Sequence, residues 1–111
     1  MYQIDFNHPI HIYFVGIGGI SMSGLAEVLR EKGFQVSGSD RQASPLTKSL
    51  EEKGITVFYG QRAANITPDI DCAVFTSAIH PDNPEYIAVH QLGIPCLSRA
   101  ELLGQMMKNY E

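Results

Sequence analysis

Three junctions of one kind constrain the fold of this 111-residue chain more than any other feature. At each of them a helical stretch ends in a glycine and an apolar run starts at once, in Lys32-Gly33-Phe34, Lys53-Gly54-Ile55 and Leu92-Gly93-Ile94. Glycine directly after a helix adopts the left-handed conformation at little cost, and the β-rich residues behind it favour a strand. The junctions therefore predict a chain that alternates between helix and strand.

Five short apolar runs are the predicted strands, at residues 10–15, 35–38, 56–59, 72–76 and 95–97. They lack strict polar and apolar alternation, which is typical of parallel strands that are covered on both faces. Helices are predicted to begin near Ile20, Pro45 and Pro84, and a capping box at Ser98 and Glu101 starts a fourth. The expected fold class is α/β, with an open, mostly parallel sheet of about five strands flanked by helices in a single domain.

The composition excludes several classes of protein. A net charge of −4 without a lysine or arginine cluster argues against nucleic-acid binding. No apolar run approaches the roughly 20 residues that span a bilayer, and no secretory signal is recognisable, so we expect no membrane insertion and a cytoplasmic location. Cys72 and Cys96, which form no CxxC motif, are predicted to be buried thiols. Any polyanion that binds here should be small and held by backbone groups.

The segment VGIGGISMSG, residues 15–24, lies between the first predicted strand and the first predicted helix. Gly16 permits a tight turn and Gly18 lets the backbone approach a pyrophosphate, whose charge favours the free N–H groups at the start of a helix. Ser21 stands where the third glycine of a dinucleotide fingerprint belongs, which weakens the case for NAD. Its hydroxyl could cap the helix or contact phosphate. The loop predicts phosphate binding.

Other candidate residues follow the predicted strands, because ligands of open parallel sheets bind outside the carboxyl ends of the strands. Asp40 lies at the end of the second strand, 24 residues after Gly16, where a carboxylate commonly binds ribose hydroxyls. Arg41 beside it is a candidate for contact with a base or a phosphate. Residues 76–80, TSAIH, follow the fourth strand and are expected to face the same crevice as the glycine loop.

The sequence shows no catalytic signature. No lysine follows a glycine, so the GxxxxGK[ST] loop for ATP phosphates is absent. The segment GISMS, residues 19–23, departs from the GxSxG hydrolase motif because its last residue is serine. No HExxH motif occurs, and His8, His11 and His90 have no spacing that indicates a metal site. The sequence predicts a binding site without catalytic residues.

Five segments together resemble the UDP-N-acetylmuramate:L-alanine ligases of the Mur ligase family. They are GIGGISMSGLAEVL, SGSD, TSAI, DNPE and SRAELL, and they occur in order over essentially the whole chain. The resemblance implies that residues 1–111 are the N-terminal Rossmann-like domain, which binds the UDP-sugar. It also implies a central ATPase domain and a C-terminal domain that belong to the same protein in cis but are absent from this chain.

The resemblance implies a substrate-binding site with no catalytic residue in this chain. The diphosphate of UDP-N-acetylmuramate or UDP would lie on the glycine loop, and the uridine would lie near Asp40 and Arg41. The full set of implied substrate-binding residues is Gly16, Gly18, Gly19, Ser21, Met22, Ser23, Asp40, Arg41, Ser77, Ala78, Ile79, His80, Asn83 and Arg99. The family reaction needs ATP and Mg²⁺, which would bind outside this chain, so the chain alone is expected to be inactive.

Three alternatives stay open at this point. An NAD-binding domain of an oxidoreductase or redox sensor is favoured by Gly16, Gly18 and Asp40 and disfavoured by Ser21. The N-terminal domain of the related ligase that recycles peptides onto UDP-N-acetylmuramate would look similar, and a free-standing module that senses UDP-sugars is the third. The last helix reaches the end of the sequence without a terminating glycine or proline, which indicates part of a longer protein.

Overall fold

The computed structural model describes residues 1–110 and contains one sheet in which all strand pairs are parallel. Its strands are β1 (His11–Val15), β2 (Gln35–Asp40), β3 (Thr56–Tyr59), β4 (Cys72–Phe75) and β5 (Cys96–Ser98). Their order across the sheet is β3-β2-β1-β4-β5. The predicted open parallel α/β sheet is therefore confirmed.

Within residues 1–110, three α-helices connect strands and a fourth follows β5, and each begins where the sequence signals place it. They are α1 (Ile20–Glu31), α2 (Pro45–Glu52), α3 (Pro84–Gln91) and α4 (Arg99–Asn109). The side chains of Ser44, Asn83 and Ser98 cap α2, α3 and α4, respectively, as expected for these residue types. A short 3-10 helix, Ala63–Asn65, follows β3 and was not predicted.

The three helix-end glycines behave as the junction pattern predicts. Gly33, Gly54 and Gly93 have φ angles of +95°, +88° and +69°, a conformation that residues with a Cβ rarely adopt. Each of these glycines ends a helix, and the chain then enters the next buried segment. The positions of these segments along the chain therefore follow from the glycines in the sequence.

Strand β2 extends two residues beyond the predicted range of 35–38. Ser39 and Asp40 pair with Phe58 and Tyr59 of β3, and Ser39 is completely buried. Both residues continue the parallel ladder, and Asp40 ends the strand, as the sequence indicated. The extension matters for function because it brings Asp40 to the edge of the sheet beside the glycine loop.

The two faces of the sheet carry separate hydrophobic clusters. Alternation along β1 directs Ile12 and Phe14 towards α1, α2 and α4, and directs Tyr13 and Val15 towards α3. Cys72 is buried, as predicted, whereas Cys96 is only partly buried. Among the helices of residues 1–110, none is long and apolar enough to cross a membrane.

Candidate functional site at the carboxyl edge of the sheet

The sheet order creates a crevice between β1 and β4. The chain passes from β1 to β2 and β3 on one side of the sheet, and then crosses to β4 and β5 on the other side. The connections that follow β1 and β4 therefore diverge, and ligands of open parallel sheets bind at such a switch point. The glycine loop, residues 16–19, and the segment 76–83 lie on the two sides of this crevice.

The glycine loop leads into α1 without a side-chain cap. Gly16 has a φ of +85°, and the N–H groups of Gly16 and Ile17 donate to the Ser39 carbonyl at 2.9 and 2.8 Å. Gly19 is the N-cap of α1 and offers no side chain, whereas side chains cap the other three α-helices. The first N–H groups of α1 are thus left to an external acceptor, and the helix dipole favours an anion there.

Asp40 is bonded to the glycine loop itself. Its Oδ2 accepts a hydrogen bond of 2.8 Å from the Gly18 N–H, and its Oδ1 accepts one of 2.8 Å from the Arg41 N–H. A Cβ at position 18 would lie 2.6 Å from Asp40 Oδ2 and 2.9 Å from Thr47 Cγ2. Gly18 therefore leaves room for a protein carboxylate, and Asp40 shapes the loop in addition to any contact with a ribose.

Ser21 lies next to Arg99 in the structure. The Nη1 of Arg99 donates a hydrogen bond of 3.2 Å to Ser21 Oγ. This contact joins the first turn of α1 to the first turn of α4, although the two residues are 78 positions apart in sequence. Two residues that were implied separately as substrate ligands therefore form one polar group at the crevice.

Met22 and Ser23 do not offer their side chains to the crevice. Met22 is 2% exposed and packs in the core, and Ser23 is 4% exposed with its hydroxyl donating to the Ile20 carbonyl at 3.0 Å. The Ser23 N–H also donates within the protein, to the Gly19 carbonyl. The expectation that Ser23 binds the diphosphate is therefore corrected, whereas Met22 stays a candidate through its N–H, because the helix period turns both side chains inward.

The segment after β4 presents small residues to solvent. Ser77, Ala78 and His80 are exposed, whereas Ile79 is partly buried against the cluster under α3. Asn83 is committed to the protein: its Oδ1 accepts from two N–H groups of α3, and its Nδ2 donates to Gln61 Oε1 at 2.8 Å. Asn83 therefore shapes the site, and Ser77, Ala78 and His80 are the accessible candidates.

Three arginines follow the carboxyl ends of strands. Arg41 follows β2, Arg62 follows β3 and Arg99 follows β5. Within residues 1–110, none of the three forms an ion pair with a carboxylate. The chain has only eight lysines and arginines and a net charge of −4, so three available guanidinium groups at one edge of the sheet favour an anionic ligand there.

Glu85 was not identified from the sequence, although it belongs to the DNPE segment. Its side chain is completely buried and accepts hydrogen bonds from Tyr13, Ser39, Arg62 and Asn65. Burial, with the adjacent Glu85 charge, raises the pKa of Tyr13, which therefore stays a phenol donor. The only signal in the sequence is an acidic residue in the first turn of a helix, which has an ordinary capping explanation.

A concavity of about 340 Å³ lies at the opposite edge of the sheet, away from the glycine loop. Its lining includes His11, Ser37 and Asp69, with His11 Nε2 2.7 Å from Ser37 Oγ and His11 Nδ1 3.3 Å from Asp69 Oδ2. His11 and the other strand residues around it lie near the amino ends of β1, β2 and β3. Ligand sites of open parallel sheets lie at the carboxyl ends, so the glycine loop and its surroundings are the better candidate.

Comparison with known proteins identifies the family. A model described as Mur ligase family, catalytic domain, matches residues 11–111. The chain belongs to the Mur ligase family. The UDP-N-acetylmuramate–L-alanine ligase of Agathobacter rectalis is 64% identical over 111 residues, which are 100% of this chain and 24% of that protein. The enzyme of the same name from Lachnospira eligens is 61% identical over the same share of both chains. This Mur ligase chain thus spans about a quarter of the length of the curated relatives it matches.

Solved Mur ligase structures share the fold of this chain. The UDP-N-acetylmuramate–alanine ligase of Thermotoga maritima matches with a TM-score of 0.85 and 33% identity, covering 90% of this chain and 23% of that one. The UDP-N-acetylmuramate:L-alanyl-gamma-D-glutamyl-meso-diaminopimelate ligase of Neisseria meningitides matches with a TM-score of 0.80 and 34% identity, covering 88% of this chain and 31% of that one. The Rossmann-like fold expected for this Mur ligase chain is therefore confirmed.

Proposed function

We propose that this chain is the N-terminal, UDP-N-acetylmuramate-binding domain of a cytoplasmic ligase that joins L-alanine to the muramic carboxylate in peptidoglycan synthesis. The observation that carries the proposal is the carboxyl edge of the sheet. There the uncapped N-terminus of α1 lies at the same edge as three arginines that pair with no carboxylate within residues 1–110, in a chain 64% identical to a ligase of that name. Residues 1–111 form the domain, and the other domains follow in cis.

In this proposal the binding groups divide by location. The free N–H groups at the start of α1, from Ile20 to Met22, hold the diphosphate, because they are donors in the positive field of the helix. Asp40 and Arg41 lie at the uridine end, where Asp40 retains free lone pairs for a hydroxyl or an imide N–H. Ser77, Ala78 and His80 line the sugar side of the crevice, and Arg99 with Ser21 completes it.

ATP and Mg²⁺ belong to the complete ligase in this proposal. ATP would supply the phosphoryl group that activates the muramic carboxylate, and Mg²⁺ would screen the charge of its phosphates. The residues of this chain do not fit either group, since no lysine follows a glycine in a phosphate loop, and residues 1–110 contain no group of three His, Cys, Asp or Glu side chains that could hold a metal ion. The chain therefore binds and orients the UDP-sugar and performs no chemical step.

Titration calorimetry of the chain with UDP-N-acetylmuramate, UDP, NAD and ATP tests the proposal. Saturable heat with the two uridine nucleotides is expected, since their diphosphate and uridine match the groups at the carboxyl edge. NAD and ATP are expected to give no saturable heat. Saturable binding of NAD without a response to uridine nucleotides would instead support the oxidoreductase alternative and overturn the proposal.

The peptide-recycling ligase is the second candidate, because the structure of such an enzyme from Neisseria meningitides matches with a TM-score of 0.80. The sequence identity favours the L-alanine ligase, at 64% against 34%. Both enzymes act on a muramic carboxylate, so binding by this chain does not separate them. The complete protein that contains this chain does: we expect it to consume ATP with L-alanine as acceptor, and consumption with the tripeptide alone would favour the second candidate.

A further inference from the structure

Glu85 is a buried carboxylate that no lysine, arginine or histidine neutralises within residues 1–110. It lies in the first turn of α3, and its exposed surface is 0%. Oε1 accepts a hydrogen bond of 2.6 Å from Ser39 Oγ, and Oε2 accepts one of 2.9 Å from the Tyr13 hydroxyl. Burying a charge is costly unless strong donors surround it, so this arrangement calls for a structural or functional reason.

The Ser39 contact connects Glu85 to the glycine loop. The backbone carbonyl of Ser39 accepts the N–H groups of Gly16 and Ile17, while its hydroxyl donates to Glu85. The next residue, Asp40, accepts the N–H of Gly18. Ser39 and Asp40, the last two residues of β2, therefore order the glycine loop. Glu85 fixes the position of Ser39 by accepting its hydroxyl.

The Oε2 contacts connect Glu85 to the segment after β3. This oxygen accepts hydrogen bonds from the Arg62 N–H at 3.2 Å and from Asn65 Nδ2 at 2.8 Å. Asn65 Nδ2 also donates to the Gly60 carbonyl at 2.9 Å, so the segment from Gly60 to Asn65 is tied to the start of α3. The backbone of Arg62 is thereby fixed, while its side chain stays exposed and has no carboxylate partner within residues 1–110.

We propose that Glu85 is a positioning residue for UDP-sugar binding, which fixes the glycine loop through Ser39 and the Arg62 backbone through its other oxygen. The inference rests on the proposed function, because the glycine loop leads into the helix start that is taken to hold the diphosphate, and Arg62 is one of the three arginines at the carboxyl edge. Glu85 itself touches no ligand. Through its hydrogen bonds it joins α3 to three other parts of the chain, namely β1, β2 and the segment after β3. One side chain therefore fixes the relative positions of these four parts.

The substitutions of Glu85 differ in how many of its hydrogen bonds they can keep. In Glu85→Gln, the amide oxygen can accept the three donors at Oε2, and the amide N–H can donate to Ser39, whose hydroxyl is free to rotate. Glu85→Asp is one methylene shorter and cannot reach the same donors. Glu85→Ala removes the acceptor from all four donors, of which Asn65 Nδ2 keeps its bond to the Gly60 carbonyl, and it is the most disruptive change.

The test is the affinity of the chain for UDP-N-acetylmuramate, measured by calorimetry at a temperature where circular dichroism shows each variant folded. Glu85→Ala and Glu85→Asp are expected to weaken binding by about tenfold or more, and Glu85→Gln by less than about threefold. If Glu85→Ala does not fold, Ser39→Ala serves in its place, since it removes only the Oε1 donor.

Gln105 provides the matched control for lost stability. It is also a buried polar side chain, 5% exposed, that accepts from the Ile4 N–H at 2.9 Å and donates to the Tyr2 carbonyl at 2.7 Å. Gln105→Ala therefore removes two long-range hydrogen bonds away from the glycine loop. We expect it to lower the melting temperature but to change affinity by less than about twofold.

Two results would overturn the inference: affinity within about twofold of the parent chain in Glu85→Asp and Ser39→Ala, or equal loss of affinity in Gln105→Ala.

If the parent chain fails to bind uridine nucleotides, the proposed function fails, and the positioning role is then measured without ligand. NMR amide signals of Gly16, Ile17 and Arg62 should shift in Glu85→Asp and Ser39→Ala but not in Gln105→Ala. Unshifted signals would contradict the role of Glu85.

Discussion

At the scale of single residues, the contact between Asp40 and Gly18 changes the interpretation of the glycine at position 18. A glycine fingerprint is usually interpreted as space for a pyrophosphate, but here the space beside Gly18 is occupied by Asp40 Oδ2 and Thr47 Cγ2. The carboxylate expected near the uridine thus also stabilises the loop that is expected to hold the diphosphate. One hydrogen bond of 2.8 Å, from the Gly18 N–H to Asp40 Oδ2, therefore joins the proposed diphosphate end of the site to the proposed uridine end.

Gly18→Ala tests this connection. The new Cβ would lie 2.6 Å from Asp40 Oδ2, so the carboxylate must move and the loop must lose its hydrogen bond. We expect a loss of about 1 to 3 kcal/mol in the free energy of unfolding, together with weaker binding of UDP-N-acetylmuramate. Denaturant titration and calorimetry measure the two effects.

Gly24→Ala is the matched control for Gly18→Ala, because a Cβ at position 24 has nothing within 4 Å. Gly24 lies within α1 and is exposed, so alanine should stabilise the chain by up to about 1 kcal/mol through helix propensity. Equal effects of the two substitutions would show that the environment of Gly18 has no special role.

The two cysteines give a second prediction at the residue scale. Burial raises the pKa of the Cys72 thiol to about 12, and Cys96 and Asp71 add to the effect. Burial also raises the pKa of Cys96, which is only partly buried. Since the thiolate is the reactive form, we expect iodoacetamide at about pH 8 to leave Cys72 unmodified in the folded chain, while Cys96 reacts slowly. Mass spectrometry would contradict the buried position of β4 if Cys72 reacted as fast as in urea.

At the scale of elements, the start of α1 and the ends of the strands act together. The sequence predicted that α1 begins at Ile20, and the structure confirms it. It could not show which side chains of the first turn face the core, because Ser21, Met22 and Ser23 alternate polar and apolar without a clear helical face. Tertiary packing decides that Ser21 faces Arg99 while Met22 and Ser23 are buried.

Substitution of the three arginines at this edge tests the electrostatic argument. Arg41→Gln, Arg62→Gln and Arg99→Gln are each expected to weaken UDP binding by about 1 kcal/mol, or roughly fivefold, since exposed charge pairs contribute modestly. The loss should shrink as salt is raised. Arg30→Gln is the control, because Arg30 lies in the last turn of α1 and bonds to the Lys53 carbonyl. An equal loss in Arg30→Gln would mean that only net charge matters.

At the scale of the whole molecule, the sequence predicted the fold well because the fold depends on local signals. Glycines after helices, capping side chains and apolar runs determine where each element begins, and their order determines a parallel sheet. The interior polar contacts could not be predicted. Glu85 meets Tyr13 and Ser39 across 72 and 46 residues of sequence, and such pairs have no periodic signature. The missed 3-10 helix, Ala63–Asn65, depends on the same contacts.

The proposal that this chain only binds substrate makes a prediction for the isolated molecule. Mixed with UDP-N-acetylmuramate, L-alanine, ATP and Mg²⁺, the chain is expected to release no phosphate, because it has neither a phosphate-loop lysine nor a metal-binding cluster within residues 1–110. A coupled phosphate assay measures this, with a complete ligase of the family as positive control. Turnover by the purified chain would refute the division between binding and chemistry.

The most direct test of the central claim is an NMR titration of the ¹⁵N-labelled chain with UDP-N-acetylmuramate. We predict that the largest amide shifts fall on Gly16 to Met22, Asp40, Arg62 and Ser77, at the carboxyl edge of the sheet. Amides around His11 and Ser37, which line the concavity at the opposite edge, should stay unchanged. Shifts concentrated at His11 and Ser37, or the absence of any saturable shift, would contradict the assignment of the carboxyl edge as the UDP-sugar site.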